Sequence, residues 1–166
     1  MSKQFAAKTP EDLPSAETLL AMSGLEFIEA IFNGEVSGPP IAELMNFKLH
    51  HVEKGKVTFR GAPQFTHFNP MGGTHGGWYG TILDSALGCA VATTLSKGST
   101  YTTLEYKVNL TRAIKAGQWV DCTAHVQHSG RSTAVAEAVI TGVEDGKIYA
   151  TGSTTCIILR PKTPTI

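Results

Sequence analysis

Apolar positions along the chain follow two rhythms. From Ser15 to Gly34, the residues Leu19, Leu20, Met22, Leu25, Phe27, Ile28, Ile31 and Phe32 build a broad apolar face at helical spacing. Ser15 stands where an N-cap is wanted and Asn33-Gly34 where a helix stops, while Gly24 divides the segment into two pieces. Gly38-Pro39-Pro40 then ends the helical stretch. Residues 41–51 and 56–62 read as two strands with a turn at Glu53-Lys54-Gly55. A loop rich in Pro, Asn and Gly covers 63–73 and leads into a second, more apolar helix over 75–95. Beyond it the period becomes two. Val120, Cys122, Ala124 and Val126 alternate with polar residues, and so do Ala134, Ala136, Ala138 and Ile140. Four strands are predicted, over Thr102–Asn109, Gln118–Gln127, Ser132–Thr141 and Lys147–Leu159, with turns at Ala116-Gly117, Ser129-Gly130 and Asp145-Gly146. So much apolar sheet surface needs a cover, and the long central helix supplies one. The pattern predicts an α+β fold in which a curved antiparallel sheet wraps around that helix, with an extra N-terminal helix.

The 166 residues suit one domain, and neither a repeat nor a linker divides them. Residues 1–14 are polar, carry Pro10 and Pro14, and read as a flexible arm ahead of a single domain over 15–166. Lys+Arg and Asp+Glu both number 14, a balance that argues against a nucleic-acid partner. No apolar run is long enough for a membrane span and the N-terminus lacks an apolar leader, so the expected location is the cytoplasm. Cys89, Cys122 and Cys156 lie far apart among small or apolar residues and are expected to be buried, reduced thiols. No motif of metal-ligand spacing is present, and no metal is expected.

Between Arg60 and Lys97 there is one formally charged side chain, Asp84, and it lies among Ile82, Leu83, Ala86 and Leu87. A carboxylate there loses hydration, and Asp is a poor residue for a helix interior. Gly76, Gly80, Asp84 and Gly88 recur every four residues and share one helix face, each glycine weakening the helix by about 1 kcal/mol relative to Ala. That face is read as a groove through which a backbone or a slender ligand reaches Asp84, or else as a site of close helix–sheet packing. Met71 to Gly77 open the helix with glycines, so its unpaired N–H groups can approach a carbonyl oxygen or a phosphate.

Asn69, His75-Gly76-Gly77 and Asp84, in the spacing N–x5–HGG–x6–D, resemble the PaaI-like (phenylacetic-acid-pathway type) thioesterases of the hotdog fold. The segment from Ser23 to Glu35, the strand Thr103–Val108 and the turn Ser129–Ser132 are similar to theirs as well, and the likeness covers roughly residues 22–159. The resemblance implies hydrolysis of an acyl-CoA, with coenzyme A as part of the substrate and no other cofactor. It implies Asp84 as nucleophile or general base and the Gly76 amide as oxyanion hole. Asn69 would orient the water or the carbonyl, His75 would fix the glycine turn, and Ser99 would assist the water. Some branches of the family place a Thr one turn after the carboxylate, where this chain has Gly88. Gly77, Trp78, Phe68 and Leu87 are the expected acyl contacts. Arg131, with Lys107, Arg112 and Lys115, is a candidate for the phosphates of coenzyme A.

Gly76 and Asp84 are separated by a helical rise of about 12 Å, so one helix cannot present both to one carbonyl. The expectation is a homo-oligomer, a dimer or a pair of dimers, with Gly76 of one subunit facing Asp84 of another. Three rival readings accompany this one. A non-catalytic acyl-CoA sensor would share the fold. A hydroxyacyl-thioester dehydratase is suggested by His67-Phe68, but its acid would fall near Thr81. A metal held by His67, His75 and Asp84 matches no usual ligand spacing. Ser85 lacks the G-x-S-x-G elbow of a serine hydrolase.

Overall fold

The computed structural model describes residues 4–160. Helix α1 spans Ala16–Leu20 and α2 spans Gly24–Asn33. Ser15 caps the first through its side chain, and Ser23 and Glu26 form a capping box on the second. Gly34 closes α2 in the left-handed conformation, at φ 74°. Gly24 divides the two helices as expected, and it is also a docking point. Its N–H donates to Leu95 O at 3.0 Å, and a β-carbon on it would overlap the carbonyl oxygen of Ala92. Gly24→Ala is therefore expected to destabilise, although helix propensity alone predicts a gain. The expected loss is about 2 kcal/mol, or roughly 4–8 °C in Tm, read in a thermal melt beside Gly73→Ala, which meets only an ordinary contact.

Contrary to the sequence expectation, residues 41–46 do not extend a strand; Pro40–Leu44 form a short helix, α3, with Pro39 at its N-cap. Proline's fixed φ suits a first helical position, so Pro39-Pro40 starts a helix rather than ending one. Asn46, at φ 53°, then turns the chain into β1, Phe47–Glu53. Strand β2 covers Lys56–Gly61, and the turn between them places Gly55 at φ 77°.

Helix α4, Gly76–Ala92, carries the core. Trp78, Ile82, Leu83, Ala86, Leu87, Ala90 and Val91 are all buried. Burial of each large aliphatic side chain contributes about 1.5–3 kcal/mol. Thr93 at its C-terminal end accepts the Gly55 N–H at 2.8 Å, which ties the β1–β2 hairpin to the helix. Strands β3 (Thr100–Leu110), β4 (Val120–Ser129), β5 (Thr133–Gly142) and β6 (Ile148–Leu159) complete the sheet. Among the described residues six strands pair antiparallel in the order β1-β2-β4-β5-β6-β3, and α4 packs against β2 to β6. The alternating small residues of β4 and β5 face the helix, as their period predicts. This is the hotdog architecture expected from the pattern. The three cysteines are free; Cys122 and Cys156 are buried, and Cys89 is partly covered.

Residues 4–14, the described part of the expected arm, lie against the body. Ala6 forms a parallel bridge with Gly38, and Gln4 Nε2 donates to Leu49 O at 2.9 Å. Ser37 Oγ donates to Asp12 O at 2.6 Å. Residues 1–3 of the expected arm, and 161–166 of the expected domain, lie outside the described residues.

Candidate active site

Asp84 sits midway along α4, half-buried, on the face turned to β3. The glycine spacing on that face proves to be a packing ruler. A β-carbon at Gly76 would lie 3.3 Å from Leu110 Cδ1, one at Gly80 3.3 Å from the Tyr106 hydroxyl, and one at Gly88 2.5 Å from the Tyr101 hydroxyl. At Asp84 the matching β3 residue is Thr103, whose Oγ1 donates to Asp84 Oδ1 at 3.3 Å. Helix and strand thus run antiparallel, with 76, 80, 84 and 88 meeting 110, 106, 103 and 101. The step from 103 to 106 breaks the strand's period of two because the pairing register shifts at Leu104, a bulge. The groove expected along the glycines is in this way filled by two tyrosines and a leucine, and the close-packing alternative is the one the glycines serve.

What stays open is the other side of the carboxylate. Asp84, Ser85, Cys89, Tyr101 and Thr103 line a cavity of about 640 Å³ that runs toward the edge of β1. Its walls include Phe47, Leu49 and Phe59, and Lys8, Lys48 and Arg60 add cations. Arg60 is paired with Asp121 through two contacts of 2.7 Å, which hold its guanidinium above the ordinary arginine range. Burial, with Asp84 adding to it, pushes the Cys89 thiol up to about 12, so it stays a neutral thiol at the cavity wall. Burial likewise raises the Tyr101 phenol well above its usual value, leaving a neutral hydroxyl.

The start of α4 gathers a second set of the predicted residues. Asn69 Oδ1 accepts the N–H groups of Met71 and Gly73, at 3.0 and 3.2 Å, and so shapes the loop. His75 is the N-cap; its Nδ1 accepts the Gly77 N–H at 2.8 Å and its carbonyl accepts the Trp78 N–H. The glycine turn is thus fixed by His75, and Gly76 occupies the first helical position. His67 is buried and committed locally: Nδ1 accepts from Gln64 N–H, and Nε2 faces Leu44 O at 2.8 Å. No three His, Cys, Asp or Glu side chains gather for a metal among the described residues.

The remaining predicted residues lie elsewhere. Trp78 and Leu87 are closed into the core at 1% and 0% exposure, and Trp78 Nε1 donates to Met45 O. Phe68 rests against Phe65 at 5.9 Å between ring centroids, and Arg131 is exposed between β4 and β5. Ser99 precedes β3, and its hydroxyl is 3.3 Å from that of Ser96. The hydroxyl beside Asp84 belongs to Thr103, a residue the sequence reading had placed only in a strand. Among the described residues no helix is long and apolar enough to cross a membrane.

Residues 71–149 match the thioesterase superfamily. The chain is 32% identical over 115 residues to F42H10.6, a Caenorhabditis elegans protein named as an esterase, covering 69% of this chain and 67% of that one. It is 29% identical over 86 residues to acyl-coenzyme A thioesterase 13 of Mus musculus, with 52% of this chain and 61% of the mouse protein covered. A Ralstonia eutropha JMP134 structure, described as a thioesterase related to phenylacetic acid degradation, superposes with a TM-score of 0.72 at 25% identity, over 79% of this chain and 98% of that one.

Proposed function

The chain belongs to the thioesterase superfamily, and from that premise we propose that it hydrolyses acyl-CoA thioesters to a free acid and coenzyme A, with Asp84 as the reacting carboxylate. The observation that carries the proposal is a half-buried Asp84 at the wall of a largely apolar cavity, steadied by Thr103. As a base, Asp84 takes a proton from water while the water oxygen bonds to the thioester carbon. The C–S bond then breaks, and the proton passes to the departing sulfur. As a nucleophile, an Asp84 oxygen bonds to the thioester carbon and the C–S bond breaks, expelling the thiolate and leaving an anhydride. Water opens it to the free acid and the Asp84 carboxylate, its proton passes to the thiolate, and the products are the same. Either route builds negative charge on the carbonyl oxygen, which needs an N–H donor about 3 Å away.

In this proposal the donor is Gly76 of a second copy. Strand β3 is the sheet's outer edge, eleven residues long, with Leu104, Tyr106 and Leu110 exposed. An unprotected edge of that kind is a template for another strand. A two-fold axis placed at Lys107 would pair Tyr106 with the partner subunit's Val108 and Glu105 with the partner subunit's Asn109. The bulge at Leu104 then sets Thr103 opposite the partner subunit's Leu110. Because Thr103 touches Asp84 and Leu110 lies against Gly76, that register would bring Asp84 toward the partner subunit's Gly76, twice per dimer.

The test is the release of free thiol from a panel of aryl and alkyl acyl-CoAs by the purified protein. Turnover of at least one class is expected. Tight binding of acyl-CoA with no thiol released from any member would leave a sensor and refute the proposal.

A further inference from the structure

The cavity that holds Asp84 has a far end, and the N-terminal segment closes it. Gln4, Phe5, Ala6 and Lys8 line that end, across from Asp84 and Cys89. The segment is anchored by its backbone. Gly38 N–H donates to Phe5 O at 2.8 Å, and Ala7 N–H donates to Gly38 O at 3.0 Å. The Gln4 side chain also satisfies Leu49 O on β1, the strand at the opposite edge of the sheet from β3. The Lys8–Glu43 ion pair is exposed on both sides and adds little. The Gln4 side chain on one side and the backbone bonds at Phe5 O and Ala7 N on the other hold Phe5 in place, yet the residue is 52% exposed while it lines the cavity. A large apolar side chain held in place with half of its surface uncovered is suited to receive another apolar group. Phe47, Leu49 and Phe59 belong to the same lining, so the cavity offers an acyl chain hydrocarbon surface beside its polar groups.

We infer that Phe5, carried on the anchored N-terminal segment, is the end wall of the acyl pocket and sets the length of acyl group the protein takes. The inference rests on the thioesterase proposal, since it assigns the acyl chain to the cavity beside Asp84. Each methylene that enters an apolar pocket raises kcat/KM by about fourfold, until the chain meets the wall and the gain stops. Changing the volume of residue 5 therefore moves the stopping point.

The experiment measures kcat/KM by thiol release on straight-chain saturated acyl-CoAs from four to sixteen carbons, for the wild type, Phe5→Ala and Phe5→Trp. Removal of the ring is expected to move the best chain length up by roughly two to four carbons, and Trp to move it down by about two. An unchanged length profile, or a shift of the same sign in both variants, overturns the inference while hydrolysis itself stands; a partner's segment occupying this end of the cavity would give that result. A wild type inactive on every substrate would instead refute the hydrolase proposal and this inference with it.

Discussion

Asp84→Asn is expected to lower kcat/KM for thioester hydrolysis by about 10²–10⁴-fold, with little change in Tm. Asparagine keeps the shape of the side chain and a carbonyl oxygen that still accepts from Thr103 Oγ1, so the packing against β3 survives. What it removes is basicity and negative charge, the two properties that an attack on a thioester carbon draws on. Thr103→Val keeps the volume and deletes the donor. Its expected loss is smaller, about tenfold, because the carboxylate remains but is free to turn away from the reacting position. Thiol-release kinetics and thermal melts on the two variants check both statements. Wild-type turnover in Asp84→Asn would remove the carboxylate from the chemistry altogether. A loss confined to KM would make Asp84 a binding group only.

The contrast between Asp84 and Thr103 shows how far the sequence reaches. Asp84 is legible because it is the only charge in a long apolar stretch, and that signal is local. The Asn69 and His75 turn is legible for the same reason: both side chains bond within four residues of themselves. Thr103 is hidden because its contact with Asp84 crosses nineteen residues. The face of β3 that meets the helix also changes parity at the Leu104 bulge. Nothing in the run from Tyr101 to Val108 marks which residue is the extra one, so spacing alone does not point to Thr103. The glycines carry the same lesson. Their four-residue spacing marks a smooth helix face, but not what covers it, and the Tyr101 and Tyr106 rings come from a strand after the helix ends. The alternation in β4 and β5 was readable, and the observed ends of β2 to β6 lie within two residues of the expected ones, whereas β1 begins six residues after the expected start. The stretch at Pro39-Pro40 was not readable, because two prolines exclude a helix interior while favouring a helix start, and spacing cannot separate the two.

Mixing two inactive variants is expected to restore activity, and this follows from the proposed two-chain site alone. Gly76 is the first residue of α4, a position where proline fits the helix and where its missing N–H breaks no intrahelical bond. Gly76→Pro therefore deletes the proposed oxyanion donor and leaves α4 intact, apart from a contact with the flexible end of Leu110. Loss of one such donor lowers kcat by about 10²–10³-fold. Asp84→Asn lacks the carboxylate and keeps the donor. In a hybrid dimer of the two, one site joins both defects and the other joins the intact Asp84 to the partner's intact Gly76. Random reassortment after unfolding and refolding makes half of the dimers hybrid, so the mixture is expected to recover about one quarter of wild-type turnover. If both groups came from one chain, neither variant could supply a complete site and the mixture would stay as inactive as its parts. Thiol release from the refolded mixture, set beside each variant refolded alone, separates the two arrangements by roughly 25-fold or more.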